Sequence, residues 1–436
     1  MLLLAVTMLS GGMLIAQEMT GEIIGTVVLE DGSAIPGVAV SAEGSNLVGK
    51  KTTVTNEVGA FRFMALPPGQ YVFTFVLEGF KTVKRKDVKV DLGRSYKLDI
   101  VMETGAIQKE IVVTGKTPTI DVRKSASTVS ISKDTFTKLP KGRNFMSIVT
   151  QTAGLNFESE FQTADEREEG NMGAAVSFDG ASASENTFYV DGVDTTTLFE
   201  GTSGTNVNFD FIEEVQVKSS GYAAEYGGSM GGVISVITRS GGNEFHGQLS
   251  MYFDGSILGY DPRPSLRNHP LNEDVAEYVT YPEDDWTRIE PGLGLGGYII
   301  KDKLWFFGSF MPKFRTATRN GDNWPMPGNT IFGGENHMSG SNEFTRKDTF
   351  YAGSLKLTGQ VANNLRMSVS GTIDYSKWEG ELPARNGSGN YEKDYEIYGY
   401  KDPKFTLGGS LDYTLGNNLM INASLGYFKA DHQQMV

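Results

Sequence analysis

Residues 246–428 alternate between apolar and polar side chains, and this period of two is the feature of the sequence that most constrains the fold. In residues 365–375, an apolar or aromatic residue or glycine occupies each odd position, and a polar or charged residue occupies each even position. Because successive side chains of a β-strand point to opposite faces, the pattern predicts a strand with one apolar and one polar face. The same pattern recurs in residues 351–358, 405–415 and 419–427.

Three further segments, which begin at His246, Pro291 and Lys303, bring the number of candidate strands to seven. Their lengths fit the roughly 9–11 residues with which a tilted strand crosses a bilayer. After the N-terminus the sequence has no run of about 20 apolar residues, so membrane-spanning helices are excluded. The sequence therefore predicts strands that place one apolar face in lipid.

The segments between the candidate strands alternate between long polar stretches and tight turns. The long ones are residues 255–290, 315–348 and 376–403, and the short ones are Asp302, residues 360–364 and residues 416–418. Outer-membrane barrels combine long extracellular loops with short periplasmic turns, so the first strand is predicted to run outward from the periplasm. The alternation alone leaves one alternative open, a soluble β-sandwich in which one face of each sheet is exposed to solvent.

The number of candidate strands is too small for a barrel that encloses a domain. Barrels with a plugged lumen have about 22 strands. No further alternating segment precedes Val436. Residues 244–436 are therefore expected to be the N-terminal part of a transmembrane β-barrel that belongs to a longer chain.

The first 17 residues are predicted to be a signal peptide. They are apolar up to Ala16, and polar residues follow at Gln17 and Glu18, which is typical of a secretory signal with cleavage near Ala16. A buried first helix is the alternative, and it is disfavoured because the segment has no polar face.

Residues 18–103 are predicted to form a β-sandwich. Short strand-like pieces alternate with turn residues such as Asp31-Gly32 and Pro67-Pro68-Gly69. The segments GTVVLEDGSAIPGVAVS and TNEVGAFRFMALPPGQYVFTFVLEGF resemble the carboxypeptidase regulatory-like domain. That resemblance implies a prealbumin-like fold with seven strands and no catalytic residues of its own.

Residues 104–115 are interpreted as a linker that contains a short β-branched segment, Glu110-Ile111-Val112-Val113-Thr114. Two interpretations remain open at this stage. The segment is either an ordinary edge strand or a strand offered to a partner's sheet, where main-chain hydrogen bonds supply most of the affinity.

Residues 116–243 have the composition of a small α+β domain. A helical turn is predicted from Ser132 to Leu139, and a second one follows Gly142-Arg143-Asn144 and ends at Gly154. Three strand-like pieces come next. A glycine cluster at Gly227, Gly228, Gly231, Gly232, Gly241 and Gly242 then predicts a backbone that packs closely against a neighbour.

The segments LPKGRNFMSIVTQTAGL, VSFDGASASENTFYVDGVDTT and FIEEVQVKSSGYAAEYGGSMGGVISVITRSGGNEFHG resemble the plug domain of TonB-dependent outer-membrane receptors. The similarity is greatest to the Oar-like subgroup, which also carries an N-terminal regulatory-like domain. Matching segments cover roughly residues 20–255 in the family's order. The implied fold class is mainly β: a prealbumin-like β-sandwich, an α+β plug domain and the first strands of an outer-membrane β-barrel.

The resemblance also carries over residue by residue. The segment Glu110–Thr114 matches the TonB box, which the periplasmic energy-coupling protein TonB binds as an added strand. Two positions depart from the family's pattern, Ala153 in place of Pro-Gly and Tyr298 in place of Pro. The plug-motif residues that match are Gly142, Arg143, Asn144, Asp191, Gly192, Glu213, Glu214, Gly227, Gly228, Gly231 and Gly232.

The resemblance implies a receptor or transporter in the outer membrane whose partners are TonB, membrane lipid and an extracellular ligand. A siderophore, a glycan, a peptide and a cobalamin all remain open as ligands. An alternative function is that of a surface adhesin or carbohydrate-binding protein that uses the N-terminal sandwich.

Composition excludes several other classes. The formal charge of −14 argues against a nucleic-acid partner. With no cysteine and four scattered histidines, thiol chemistry is excluded and a multi-histidine metal site is disfavoured, so no cofactor is expected.

Enzymatic activity is not expected either. Neighbouring strand residues such as Glu213 and Glu214 are predicted to point to opposite faces and not to share a substrate. The acidic residues 165–169 and the pair Asp284-Asp285 are interpreted as solvated loop charges.

Overall fold

The structure is a computed structural model of the chain. It describes residues 19–44, 46–47, 49–105, 110–114, 127–138, 145–157, 176–197, 202–223, 226–259, 263–269, 272–279, 284–320, 343–362, 364–380, 382, 399–415 and 419–435. The predicted signal peptide, residues 1–17, lies outside the described residues.

The N-terminal part is a β-sandwich, and its inner faces are filled by large side chains. Phe63 and Phe73 are buried, and their rings meet edge to face with centroids 5.4 Å apart, as do those of Phe61 and Phe75. In the first strand every second residue is buried, which is the pattern of a strand that packs on one face only. The strands are β1 (Gly21–Val28), β2 (Ala39–Gly44), β3 (Lys50–Val54), β4 (Ala60–Leu66), β5 (Gly69–Val76), β6 (Thr82–Val90), β7 (Ser95–Lys97) and β8 (Ile100–Val101).

The sandwich has two sheets. One has the order β4-β1-β7, with β8 also paired to β1. The other has the order β3-β2-β5-β6 and is extended by β9 (Glu110–Thr114), which runs parallel to β6. The strands predicted for this part are confirmed, and the last strand-like piece of the sequence is divided into β7 and β8.

The second part is a small α+β domain around one mixed sheet with the order β10-β15-β16-β13-β14. All six residues of its central strand β16 are buried, which accounts for its continuous run of apolar and small residues. The elements are β10 (Ser127–Ser132), α1 (Lys133–Phe136), α2 (Met146–Val149), β11 (Leu155–Phe157), β12 (Val176–Phe178), β13 (Thr187–Val190), β14 (Val193–Asp194), β15 (Ile212–Ser220) and β16 (Val233–Thr238).

The C-terminal part is an antiparallel meander of seven long strands, as the alternation predicts. Tight turns and long connections alternate along it, and the first long connection contains a hairpin that the sequence did not reveal, β18 (Ser265–His269) with β19 (Asn272–Val279). The seven strands are β17 (His246–Gly255), β20 (Asp285–Ile300), β21 (Leu304–Asn320), β22 (Glu343–Ala362), β23 (Leu365–Glu379), β24 (Gly399–Leu415) and β25 (Leu419–Ala430); a short β26 (Gln433–Met435) also pairs with β24.

The expected strand length is wrong for most of the meander. The seven strands have 10–20 residues, and β22 is the longest. They continue beyond the length that crosses a bilayer, and their outer ends carry polar pairs, such as Arg315 and Arg346 with Asp348. The apolar band therefore occupies only part of each strand.

The two faces of the meander are the reverse of those of a water-soluble sheet. On β23, Val369 and Ile373 are 49% and 47% exposed, whereas Thr372 and Asp374 are each 5% exposed. The predicted division into two faces is confirmed. An apolar outside with a polar, buried inside is the arrangement of a transmembrane barrel, because the outer face meets lipid. Among the described residues, no helix is long and apolar enough to cross a membrane.

Candidate functional site

The segment Glu110–Thr114 is a strand at the edge of the sandwich. Its five residues pair in parallel with Thr82–Lys86 of β6, so that Glu110 lies opposite Thr82 and Thr114 opposite Lys86. The sheet order ends at this strand. The sequence places a linker here, whereas the structure makes the segment part of the preceding domain's sheet.

The plug sheet is anchored to the barrel wall by a buried ion pair. Asp191 and Gly192 form the two-residue turn between β13 and β14, with φ angles of +47° and +80°, which is the backbone of a type I′ hairpin. The Asp191 carboxylate accepts hydrogen bonds from the backbone N–H of Thr238 at 3.0 Å and from its hydroxyl. The Nζ of Lys356, on the inner face of β22, lies 2.8 Å from the same carboxylate. Both side chains are almost fully buried, 2% exposed for Asp191 and 6% for Lys356.

Two further contacts hold the plug against the barrel. The backbone N–H of Asn206 donates to the Asp374 carboxylate of β23 at 2.9 Å. Phe211 of the plug packs with Phe307 and Met311 of β21 in a buried apolar cluster. One polar and one apolar contact thus seat the plug on different strands of the wall.

The plug's strand β15 also contacts the sandwich. The Glu214 carboxylate accepts a hydrogen bond from the backbone N–H of Leu92 at 3.2 Å, and the side-chain amide of Gln216 donates to the carbonyl of Leu92. Glu213 accepts from the side-chain amide of Asn46 at 2.9 Å. Leu92 lies two residues beyond Val90, the last residue of β6, so the plug side chains hold the chain just beyond the strand that pairs with β9.

The prediction that Glu213 and Glu214 face opposite ways is wrong. The register of β15 against β16 shifts between Ile212 and Glu214, which is a β-bulge. The extra residue rotates Glu213 toward the side that Glu214 faces, and both carboxylates line one cleft between the plug and the sandwich. There they accept hydrogen bonds from the sandwich.

Burial raises the pKa of Glu214 to about 7, and the nearby Asp91 carboxylate adds to the rise. The folded protein therefore keeps a proton on Glu214 that the unfolded chain releases near pH 4.5, so stability is expected to fall as the pH rises from about 4.5 to about 7. The side chains of Lys89 and Tyr96 also contact the Asp91 carboxylate.

The thermal midpoint of the protein in detergent is expected to be lower at pH 8 than at pH 5. We expect Glu214→Gln to remove much of this difference, because a neutral amide replaces the titrating group. The matched control is Glu213→Gln, one residue away and partly exposed. An unchanged pH dependence in Glu214→Gln would contradict this assignment.

The glycine cluster divides into two kinds of position. Gly227 and Gly228 lie in an exposed turn, and Gly228 has a φ of +90° with open space around it. Gly231 and Gly232 are buried, and a Cβ at Gly232 would lie 2.4 Å from the ring of Phe178. Close packing is therefore confirmed for Gly231 and Gly232, while Gly228 is required for its left-handed backbone.

Other candidate residues have different positions. Gly142, Arg143 and Asn144, together with the acidic residues 165–169, lie outside the described residues. The interpretation of Asp284 as a solvated charge is wrong. Asp284 is 4% exposed and accepts two hydrogen bonds, of 2.6 and 2.7 Å, from the Arg319 guanidinium, a pairing between distant residues that local sequence does not show. No three acidic or histidine side chains come together as a metal site in the described parts of the chain.

Sequence reasoning identified Asp191 and missed its partner. The signal for Lys356 was nevertheless present, because the alternation in residues 351–358 places this lysine on the polar face between Leu355 and Leu357. A charge on the inner face of a barrel strand needs a partner, but the sequence does not show which one.

Comparison with known proteins agrees with this geometry. Residues 22–103 match the carboxypeptidase regulatory-like domain, and residues 121–233 match the TonB-dependent receptor plug domain. The chain is 32% identical over 337 residues to the TonB-dependent transporter Oar of Myxococcus xanthus, which covers 75% of this chain and 30% of that protein. The chain thus spans about a third of the length of this relative.

Among solved structures, the fold is similar to that of the outer membrane transporter YddB from Escherichia coli. The TM-score is 0.50 at 13% sequence identity, over 69% of this chain and 38% of that one. The likeness concerns the fold, in which strands of an outer-membrane barrel follow a plug domain. The chain therefore has the domain order of Oar-like TonB-dependent receptors, with a carboxypeptidase regulatory-like domain ahead of a plug domain and barrel strands.

Proposed function

We propose that this chain is part of an outer-membrane receptor that imports an extracellular ligand, and that TonB powers the import through the segment Glu110–Thr114. The observation that carries the proposal is the path of the chain. The segment is an edge strand, residues 115–126 connect it to β10, and β10 is itself the edge strand of the plug sheet. A pull on the segment would therefore enter the plug at Ser127.

The arrangement of the plug supports gating by this pull. The plug sheet is joined to the barrel wall by the Asp191–Lys356 ion pair and the Asn206–Asp374 hydrogen bond. Edge strand β10 has neither of these anchors, and among the described strands it pairs with β15 alone. In the proposed mechanism, tension displaces the β10 side first while the Asp191 turn stays on the wall.

The proposed function is binding and transport, without catalysis. The ligand class remains a siderophore, a glycan, a peptide or a cobalamin, which would approach from the side of the long connections. Membrane lipid covers the exposed apolar face of the meander.

The coupling is tested by Val112→Pro in the receptor in cells. Proline removes a main-chain N–H donor from the strand, so we expect site-specific crosslinking to TonB to fall at least about tenfold, which corresponds to roughly 1.4 kcal/mol. Val112→Ala is the matched control, because it shortens the side chain and keeps the N–H group. Crosslinking of Val112→Pro at the level of Val112→Ala would defeat the proposed role of this segment.

A further inference from the structure

A cavity of about 350 Å³ lies between the sandwich and the inner face of the barrel wall. Residues of β3 and β4 line its sandwich side. Its barrel side is lined by Asn364, Arg366 and Thr414, beside the tight turns at residues 360–364 and 416–418. Ligand pockets in proteins have volumes of about 300–1,000 Å³, so this cavity is large enough for a small solute.

The lining of this cavity carries more positive than negative charge. It includes four basic residues and one acidic residue, namely Lys50, Lys51, Arg62, Arg366 and Asp412. Lys50 pairs with Glu43 at 2.9 Å, and Arg62 pairs with Glu22. The other two bases of the lining, Lys51 and Arg366, form no ion pair with any carboxylate among the described residues.

Arg366 lacks an acceptor for one of its donor atoms. Its Nη1 is buried and has no hydrogen-bond partner among the described residues. Asp412 is its register partner on β24, and the Asp412 carboxylate accepts a hydrogen bond from the side-chain amide of Asn422 instead. A buried donor without an acceptor is costly, and in a native protein it points to an ion or an ordered water at that place.

Lys51 adds a second positive charge from the sandwich side. Its Nζ donates one hydrogen bond among the described residues, to the carbonyl of Met64 at 2.5 Å, although an ammonium carries further protons. Burial lowers the pKa of Lys51 to about 8, and the positive charge of Arg366 adds to the lowering, while Asp412 opposes it. The two bases therefore lie close enough to repel each other, and an anion bound by both relieves this repulsion.

We propose that this cavity is a binding site for the phosphate or sulfate group of a small solute, held by Arg366 of the barrel and Lys51 of the sandwich. A guanidinium binds such an oxyanion bidentately, and an ammonium adds a point charge. Arg366 shares the polar inner face of β23 with Thr372 and Asp374, so the solute reaches it from water and not from lipid. A bound oxyanion joins the sandwich to the barrel wall. The site does not require TonB coupling, and it stands or fails separately from the proposed function.

Sulfate binding to the protein in detergent tests the site, measured by titration calorimetry in chloride buffer of constant ionic strength. We expect one saturable site. Arg366→Gln and Lys51→Gln are each expected to weaken sulfate binding at least about tenfold, because each removes a charge-assisted hydrogen bond. Arg366→Lys is expected to keep part of the affinity, since it retains the charge. The matched control is Lys97→Gln, an exposed sandwich lysine that pairs with Asp99 outside this cavity.

A gain of affinity distinguishes anion binding from a purely structural role. Asp412→Asn removes the carboxylate that repels the anion, so it is expected to strengthen sulfate binding at least about threefold. A structural role of Asp412 predicts no such gain.

The pH dependence gives an independent readout, because sulfate keeps its charge over the range used. Lys51 loses its proton as the pH rises from about 7 to about 9.5, so sulfate affinity is expected to fall in the unmodified protein. In Lys51→Gln the affinity is expected to change much less. Arg366, Arg62 and Asp412, which face Lys51 from the neighbouring strands, keep their charges over this range.

Absence of saturable sulfate binding would overturn the proposal, as would equal binding by Arg366→Gln and Lys97→Gln. If Arg366→Gln does not fold, Lys51→Gln and the gain in Asp412→Asn decide the question. Phosphatidylglycerol added to the detergent is expected to leave the sulfate affinity unchanged. Loss of sulfate binding on this addition would show that a lipid phosphate occupies the site, and would overturn its assignment to a free solute.

Discussion

Asp191→Asn is expected to loosen the plug by about 3–5 kcal/mol, because it leaves the buried ammonium of Lys356 without a countercharge. Asparagine is the informative substitution, since Asp191 has a φ of +47° and asparagine tolerates this left-handed backbone. The amide keeps the shape of the side chain and removes its charge. The measurement is unfolding of the plug by urea in detergent, together with entry of a large antibiotic such as vancomycin into cells.

The control for this change lies three residues away. Asp194 is exposed, and its carboxylate accepts only a local hydrogen bond from the backbone N–H of Thr196 among the contacts described, so Asp194→Asn is expected to change stability by less than about 0.5 kcal/mol. Adding Lys356→Met to Asp191→Asn removes both charges and is expected to recover much of the loss. Equal effects of Asp191→Asn and Asp194→Asn would show that the ion pair does not seat the plug.

Val369→Arg is expected to destabilise the barrel by about 2–4 kcal/mol if its side chain lies near the middle of the bilayer. Val369 is 49% exposed on the apolar face of β23, and it lies between Leu357 and Gly409 of the neighbouring strands. The control is Leu365→Arg at the start of the same strand, next to a tight turn, where a charge near the interface costs only about 0–1 kcal/mol. Unfolding from lipid vesicles measures both. Equal losses at the two positions would contradict the assigned depth.

Most of the barrel could be predicted from the sequence because its signal is local. The alternation in residues 365–375 fixes which side chains share a face, and the structure confirms it with Val369 exposed and Asp374 buried. The alternation of long and short connections likewise predicted which neighbouring strands are joined by tight turns. Strand length was underestimated, because the polar outer ends of strands such as β22 do not alternate with apolar residues.

The contacts between parts of the chain could not be predicted, because they join residues that are far apart in sequence. Asp191 and Lys356 are 165 residues apart, and the sequence around each of them gives no sign of the other as its partner. The bulge at Glu213 reversed the expected direction of its side chain, and a single extra residue in a strand leaves no signal in the pattern of charges. The pairing of Glu110–Thr114 with β6 was also invisible, since a β-branched segment fits any free sheet edge.

The central claim is that the exposed apolar face of the meander lies in lipid while its polar face lines a lumen that the plug occupies. Because the chain has no cysteine, a single nitroxide can be placed in turn at each residue from 366 to 373 of β23, in receptor reconstituted in lipid vesicles. The account predicts that membrane-dissolved oxygen relaxes the label strongly at Met367, Val369 and Ile373 and weakly at Ser368, Ser370 and Thr372. If a water-soluble nickel chelate reaches Met367, Val369 and Ile373 as readily as oxygen does, the strands do not cross a membrane and the account is wrong.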